Sequence, residues 1–214
     1  MFGLVAKADS ISYTNSYSAA LTDWTKDISL QKFNPALGTL DSIQVTIQSG
    51  MSTVLAVTNF DLTSSDGTAV TQLKINLSTG SYNLFAVNRP ALTLLSPDFN
   101  YTLPSGGSFN SGTLTTFGSV TGYLVTDSRT LSAFTGVGAV SVSSSTDTRT
   151  YLSNDGGNTA SSQSTSASLS AIVTYGFTDA SFPPAPTPEP STLALLGAGL
   201  AGLTGWVGRR AAKK

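Results

Sequence analysis

The chain has 214 residues, with Lys and Arg at 11 against Asp and Glu at 12, a net charge of −1, and neither cysteine nor histidine. Those absences exclude disulfide scaffolds, thiolate zinc sites and thiol catalysis, and they remove the side chain most used for proton transfer near neutral pH. Only 11% of residues are charged while Ser and Thr number 32 and 30, and without a basic block the chain is a poor nucleic-acid binder.

The charges are unevenly placed. From Asp9 to Asp179 there are 11 aspartates against six basic residues, Lys26, Lys32, Lys74, Arg89, Arg129 and Arg149, for a net −5. Arg209, Arg210, Lys213 and Lys214 crowd the last six positions, and Glu189 is the sole glutamate. A hydrophobic fraction of 40% speaks for a folded body, so the low charge is no sign of disorder.

Met1 to Ala8 is too short for an export leader and lacks a basic start, yet Ala6-Lys7-Ala8 has the small-x-small form of a cleavage site. Residues 1–8 are therefore expected to be the remnant of a signal peptide whose start lies upstream. From Ser10 to Phe177 the apolar period is two. Ile43, Val45 and Ile47 alternate with polar residues, as do Leu73, Ile75 and Leu77, and later Leu169, Ala171, Val173, Tyr175 and Phe177. Further strands are predicted at Ile11–Ala20, Ile28–Phe33, Val54–Asn59, Leu92–Leu95, Gly112–Phe117, Val120–Thr126 and Ala139–Ser144. Turn residues separate them at Asn34-Pro35, Asp66-Gly67, Thr79-Gly80, Pro104-Ser-Gly-Gly107 and Asp155-Gly-Gly-Asn158. No three-turn helical stripe precedes Ser191, and the Ser/Thr-rich stretch around Asn154–Ser166 reads as a mobile loop. The expectation for residues 9–180 is an all-β, antiparallel β-sandwich of about ten strands on the exported side of a membrane.

At Ser181 the composition changes. Residues 181–190 hold five prolines, a stiff polyproline-like linker. Ser191 to Gly208 then runs 18 residues without a charge. As an α-helix this run would span roughly 27 Å, near a bilayer's hydrocarbon thickness of roughly 30 Å. Trp206 suits the interface, and the positive-inside rule puts Arg209, Arg210, Lys213 and Lys214 in the cytoplasm as a stop-transfer cluster. Residues 191–214 thus read as a single transmembrane helix with a basic tail. Gly197-Ala-Gly199-Leu-Ala-Gly202 has the G-x-G-x-x-G form, but the 12 residues after Gly202 hold no acidic partner, so a dinucleotide turn is rejected. Gly197, Ala201 and Gly205 form either a helix-packing stripe or the ordinary glycine content of membrane helices.

Two resemblances follow. Pro188-Glu189-Pro190-Ser-Thr192, the apolar run from Leu193 and then Arg209-Arg210 resemble the PEP-CTERM sorting signal of Gram-negative bacteria. That resemblance implies processing by an exosortase, a membrane-embedded cysteine transpeptidase-like enzyme. Pro188, Glu189 and Pro190 would be its recognition residues, the inner membrane a transient anchor, and the cell surface or a biofilm matrix the destination. Separately, Thr22-Asp-Trp-Thr25, Leu30-Gln-Lys-Phe-Asn-Pro-Ala-Leu-Gly-Thr-Leu40 and the strand after it resemble the opening of choice-of-anchor E domains. Leu131-Ser-Ala-Phe-Thr-Gly-Val-Gly138 and Ala167–Phe177 resemble later parts of the same family. That family implies an anchored extracellular domain and carries no catalytic residues over. Trp24 and Phe33 read as core aromatics.

Chemistry in the body has few carriers. Asp23/Asp27 and Asp61/Asp66 are the neighbouring carboxylates, and their places at strand ends or turns favour side-chain-to-backbone hydrogen bonding over catalysis. No cofactor is expected: calcium could take oxygen ligands at Asn59-Phe-Asp61 with Asp66-Gly67 and at Asn154-Asp-Gly-Gly-Asn158, but neither follows the spaced acidic loop of an EF-hand and turn chemistry explains both. Tyr13, Tyr17, Tyr82, Tyr101, Tyr123 and Tyr151 could stack on sugars or simply fill half-buried sheet positions. The expected function is a non-enzymatic exported surface or matrix protein. The alternative is a carbohydrate-binding module of an exopolysaccharide matrix.

Overall fold

The structure, a computed structural model, describes residues 8–86 and 90–179. Among them are nine strands: β1 Ala8–Leu21, β2 Thr25–Gln31, β3 Gly38–Asn59, β4 Ser65–Ser78, β5 Leu92–Leu95, β6 Phe99–Leu103, β7 Ser108–Thr121, β8 Ala139–Asp155 and β9 Thr159–Asp179. A short 3-10 turn, Pro35–Leu37, follows β2, and one helix, α1 Ser128–Phe134, precedes β8. Every strand pairing is antiparallel. One sheet runs β1-β9-β3-β7; the other runs β2-β8-β4-β5, with β6 beside β5 along the same edge of β4. The all-β, antiparallel expectation holds. The signal-peptide remnant (save Ala8, which pairs with Thr178 in β1), the linker and the predicted membrane helix Ser191–Gly208 lie outside the described residues. Among the described residues no helix is long and apolar enough to cross a membrane.

The alternation seen in the sequence packs the interior. Ile43, Val45 and Ile47 of β3, Leu73 and Ile75 of β4, and Leu169, Ala171 and Val173 of β9 are all buried in one cluster. Each large aliphatic side chain buried this way contributes about 1.5–3 kcal/mol. Phe33, Phe134 and Tyr175 close this core with edge-to-face ring contacts; ring centres are 5.7 Å apart for Phe33–Tyr175 and 6.5 Å for Phe134–Tyr175. The Tyr175 hydroxyl donates to the Gln31 carbonyl at 2.5 Å. A second, smaller cluster holds Leu55, Val57, Ala69, Phe99, Tyr101 and Leu103.

Between the two clusters lies a layer of buried hydroxyls. Thr53, Thr71 and Thr165 come from β3, β4 and β9; Thr53 shares hydrogen bonds with Thr165 at 2.7 Å and Thr71 at 3.4 Å, while Ser96 Oγ accepts from the Thr71 N–H at 3.0 Å. This layer corrects the expected strand count. Ser49 and Thr53 take inward positions of β3, so the apolar alternation lapses there and one 22-residue strand reads as two. Gly112–Phe117 and the first two residues of the predicted strand Val120–Thr126 likewise belong to one strand, β7, which ends at Thr121; beyond it Val125 bridges Ile43. β7 bulges opposite Val54 and Ala56, where Ser111 Oγ accepts from the Leu55 N–H and Gly112 adopts φ +66°. The expected mobile loop at Asn154–Ser166 is replaced by a three-residue turn and the first half of β9, paired with β3 from Thr159 onward.

Candidate functional site

The sorting residues Pro188, Glu189 and Pro190, and the basic cluster Arg209, Arg210, Lys213 and Lys214, lie outside the described residues. Within the body, the other sequence candidates can be placed individually.

The two turn segments weighed for calcium meet at one end of the sandwich, because β4 and β8 pair Asp66 with Asp155 and Gly67 with Asn154. Their polar groups serve the turns. Buried Asn59 donates through Nδ2 to the carbonyls of Thr63 at 2.7 Å and Pro104 at 3.2 Å, and its Oδ1 accepts from the Asp61 N–H at 3.0 Å. Asp61 Oδ1 accepts from the Leu62 N–H at 2.6 Å, and Asn154 Nδ2 donates to the Gly156 carbonyl at 2.8 Å. Among the described residues no group of three or more acidic side chains is placed to hold a metal. Asp23, at φ +64°, accepts from the Thr148 N–H and hydroxyl and so ties the β1–β2 turn to β8.

The tyrosines separate by environment. Tyr101 is buried with its hydroxyl against Gly67; Tyr13, Tyr17 and Tyr82 are half-buried and pack on the core. The Tyr17 hydroxyl donates to the Asp27 carbonyl, and the Lys26 ammonium lies 5.3 Å from the ring centres of both Tyr17 and Trp24, a cation–π pair. Phe33 is fully buried and Trp24 packs at the margin of the same core, as expected of core aromatics. Only Tyr123, at 57% exposure, and Tyr151, at 51%, face solvent, and the Tyr151 hydroxyl is bonded to Gln72 Oε1.

The most exposed ring of the strands is one that sequence reasoning missed. Phe117 in β7 is 81% exposed and stands directly opposite Gly50 in β3, on the outward face of the β1-β9-β3-β7 sheet. A Cβ at Gly50 would come within 2.7 Å of Phe117 Cε1, so the missing side chain is what lets the ring lie against the strand. Around it the register places Gln48 and Ser119, paired across β3 and β7, with Ser168 and Ser170 on β9. These residues and Ser16 line a shallow depression of about 510 Å³. Ser168 Oγ accepts from the Gly50 N–H at 3.1 Å, whereas among the described residues nothing bonds the Gln48 amide or the Ser16, Ser119 and Ser170 hydroxyls. The signal was available: Phe117 breaks an otherwise polar outward row of Thr113, Thr115, Ser119 and Thr121.

Comparison with known proteins bears mainly on the tail. Residues 186–210 match the PEP-CTERM protein-sorting motif. That match implies export, a membrane-anchored transit and handling by an exosortase. No curated protein matches the chain. Among solved structures, the infectious bursal disease virus Gx strain is 10% identical with a TM-score of 0.21, over 82% of this chain and 37% of that one. The VP2 subviral particle of the same virus is 9% identical at 0.22, over 82% and 38%, and a mud crab tombus-like virus is 10% identical at 0.21, over 85% and 94%. The chain therefore spans well under half of either bursal disease virus chain, and likeness at these scores carries no argument.

Proposed function

We propose that this chain is a non-enzymatic, exported cell-surface or extracellular-matrix protein. Its C-terminal segment is read by an exosortase at Pro188-Glu189-Pro190 while the following apolar run holds it in the inner membrane. The observation that carries this reading is the motif match over residues 186–210, where the Pro-Glu-Pro, the uncharged run and Arg209-Arg210 fall in order. Physically, a stiff proline segment next to an apolar anchor presents a single carboxylate at a fixed depth. The β-sandwich before it is, on this reading, the exported cargo, of the choice-of-anchor kind that its opening segment resembles.

Glu189→Ala tests the recognition role. In a host that carries an exosortase, the variant should accumulate as an unprocessed, membrane-retained precursor. Processing at the wild-type rate would contradict it.

A second reading, that the sandwich binds carbohydrate, is favoured by the exposed Phe117 ring among unbonded hydroxyls and an amide. It does not rest on the tyrosines first weighed for it, four of which are wholly or partly buried.

A further inference from the structure

We propose that the outward face of the β1-β9-β3-β7 sheet is a platform for a neutral polysaccharide chain, with Phe117 as its stacking ring and Gln48, Ser119 and Ser170 as its hydrogen-bonding groups. This deepens the carbohydrate reading and rests on it; it does not depend on the sorting reading.

Charge is the first argument. On this face the outward positions of β3 from Ser42 to Val54, of β9 from Ser164 to Gly176 and of β7 from Thr113 to Thr121 carry no charged residue at all. They are serine, threonine, glutamine and glycine, with Ile172, Val54 and Phe117 the exceptions. The opposite sheet carries Asp27, Asp66, Lys74, Asp147, Arg149 and Asp155 on its own outward side. Solubility is ordinarily secured by charges of both signs spread over the whole surface. Around Phe117 this face is free of them; a charge returns only toward its end, where the exposed Asp41 carboxylate accepts from the Thr178 hydroxyl. An acidic glycan or a nucleic acid would be met by Lys or Arg, which the face lacks. A protein partner would ordinarily find an apolar centre with several anchors, and here there is one large exposed ring. A neutral sugar chain presents hydroxyls, which need both donors and acceptors, and apolar C–H faces. Serine hydroxyls and the Gln48 amide supply both kinds of group.

The ring is the second argument. Phe117 sits within the depression, against Gly50, with most of its surface open to solvent. A phenyl face carries partial negative charge and attracts the polarised C–H groups of a pyranose. Covering a sheet glycine with an aromatic neighbour also protects the strand. That role explains the contact with Gly50, and it leaves the Gln48 amide and the Ser119 and Ser170 hydroxyls without a protein partner among the described residues, facing the solvent where a ligand would lie.

The test uses the full chain in mild detergent, run through native gels containing hydroxyethylcellulose or dextran as neutral probes and alginate as the acidic one. The wild type should be retarded by a neutral probe and not by alginate. Phe117→Ala should weaken that retardation roughly tenfold or more, the usual consequence of removing a central aromatic anchor. Phe117→Trp should retain it, Gln48→Ala should reduce it, and Tyr151→Ala, on the other sheet, should leave it unchanged. Phe117→Trp guards against misreading a fold defect in Phe117→Ala, because it keeps a ring over Gly50. Retardation by alginate alone, or by no probe, overturns the proposal together with the neutral-glycan reading. Neutral-glycan binding that Phe117→Ala and Gln48→Ala leave intact overturns this site while sparing that reading. Self-association of the wild type that Phe117→Ala abolishes, seen by sedimentation, gives the face to a second copy and overturns the proposal.

Discussion

Asn59 ends β3 and ties together the β3–β4 and β6–β7 turns. Its amide reaches Thr63 and Pro104, its carbonyl oxygen takes the Asp61 N–H, and its backbone N–H donates to the Gly107 carbonyl at 2.8 Å. Asn59→Ala would leave buried loop carbonyls without partners, so it should destabilise the sandwich by about 3 kcal/mol in denaturant unfolding. A loss below about 1 kcal/mol would show that water replaces the amide there. Tyr175 gives a second prediction. Burial pushes its hydroxyl well above the ordinary tyrosine value of 10.0, with the neighbouring Tyr13 adding to the shift. Above pH 10 the unfolded chain loses this proton while the folded one keeps it, so ionisation favours unfolding. The stability Tyr175 contributes is therefore complete below pH 10 and is lost as pH rises from there through its folded value. Tyr175→Phe should be less stable than the wild type at pH 8 because the Gln31 carbonyl loses its donor, yet fall less steeply between pH 9 and 11. An equally steep alkaline loss in both proteins would assign that loss to other groups. The burial of Tyr175 and Phe33 was legible from their places in alternating or flanking apolar rows. The role of Asn59 was not, since a turn asparagine with local partners and one that bridges two distant turns share the same sequence signature.

At the scale of elements, the long strands were visible in the sequence where their inward positions are apolar and were lost where those positions are polar. Ser49 and Thr53 hid the middle of β3, and Thr165 with the half-buried Gln163 hid the start of β9. Their polarity is satisfied by each other, as Thr53 with Thr165 and Thr150 with Gln163 show, and such pairing depends on partners more than a hundred residues apart in the first case. Hydrogen exchange on residues 160–166 tests this difference directly. Residues 160–165 ladder to β3 alone, so their β3-facing amides should exchange slowly while the alternate amides, without a β1 partner, exchange faster than 169–177; exchange within seconds throughout would restore the mobile-loop reading. β6 went unseen for another reason. It is five residues long and follows Pro97-Asp98, so its three buried positions, Phe99, Tyr101 and Leu103, fall short of a pattern. Helix α1 is only seven residues long and is marked by Asp127 alone, whose carboxylate accepts from the Thr130 N–H at 2.9 Å and is held below its usual pKa by that bond. The candidate platform was half legible. The hydroxyl-rich rows were plain in the sequence, but only the β3–β7 register shows that Phe117 faces Gly50.

At the scale of the whole molecule, β9 and β3 are the long central strands of one sheet, and β8 and β4 are those of the other. β9 ends beside the starts of β1 and β3, with Ala8 against Thr178 and Gly38 against Asp179. The strand that leads toward the sorting segment is thus paired on both sides to its last residues. A cut beyond residue 180 would remove no strand of the sandwich, so the processed protein should unfold at the same denaturant concentration as the full chain. The motif match and the sandwich together point to a folded cargo joined to a removable sorting signal. Intact-mass spectrometry of the protein recovered from outside an exosortase-bearing cell should find a chain that has lost Arg209 to Lys214 and the apolar run before them, ending near Pro188-Glu189-Pro190. Exported protein that still carries its mass through Lys214, with the sandwich intact, would contradict it.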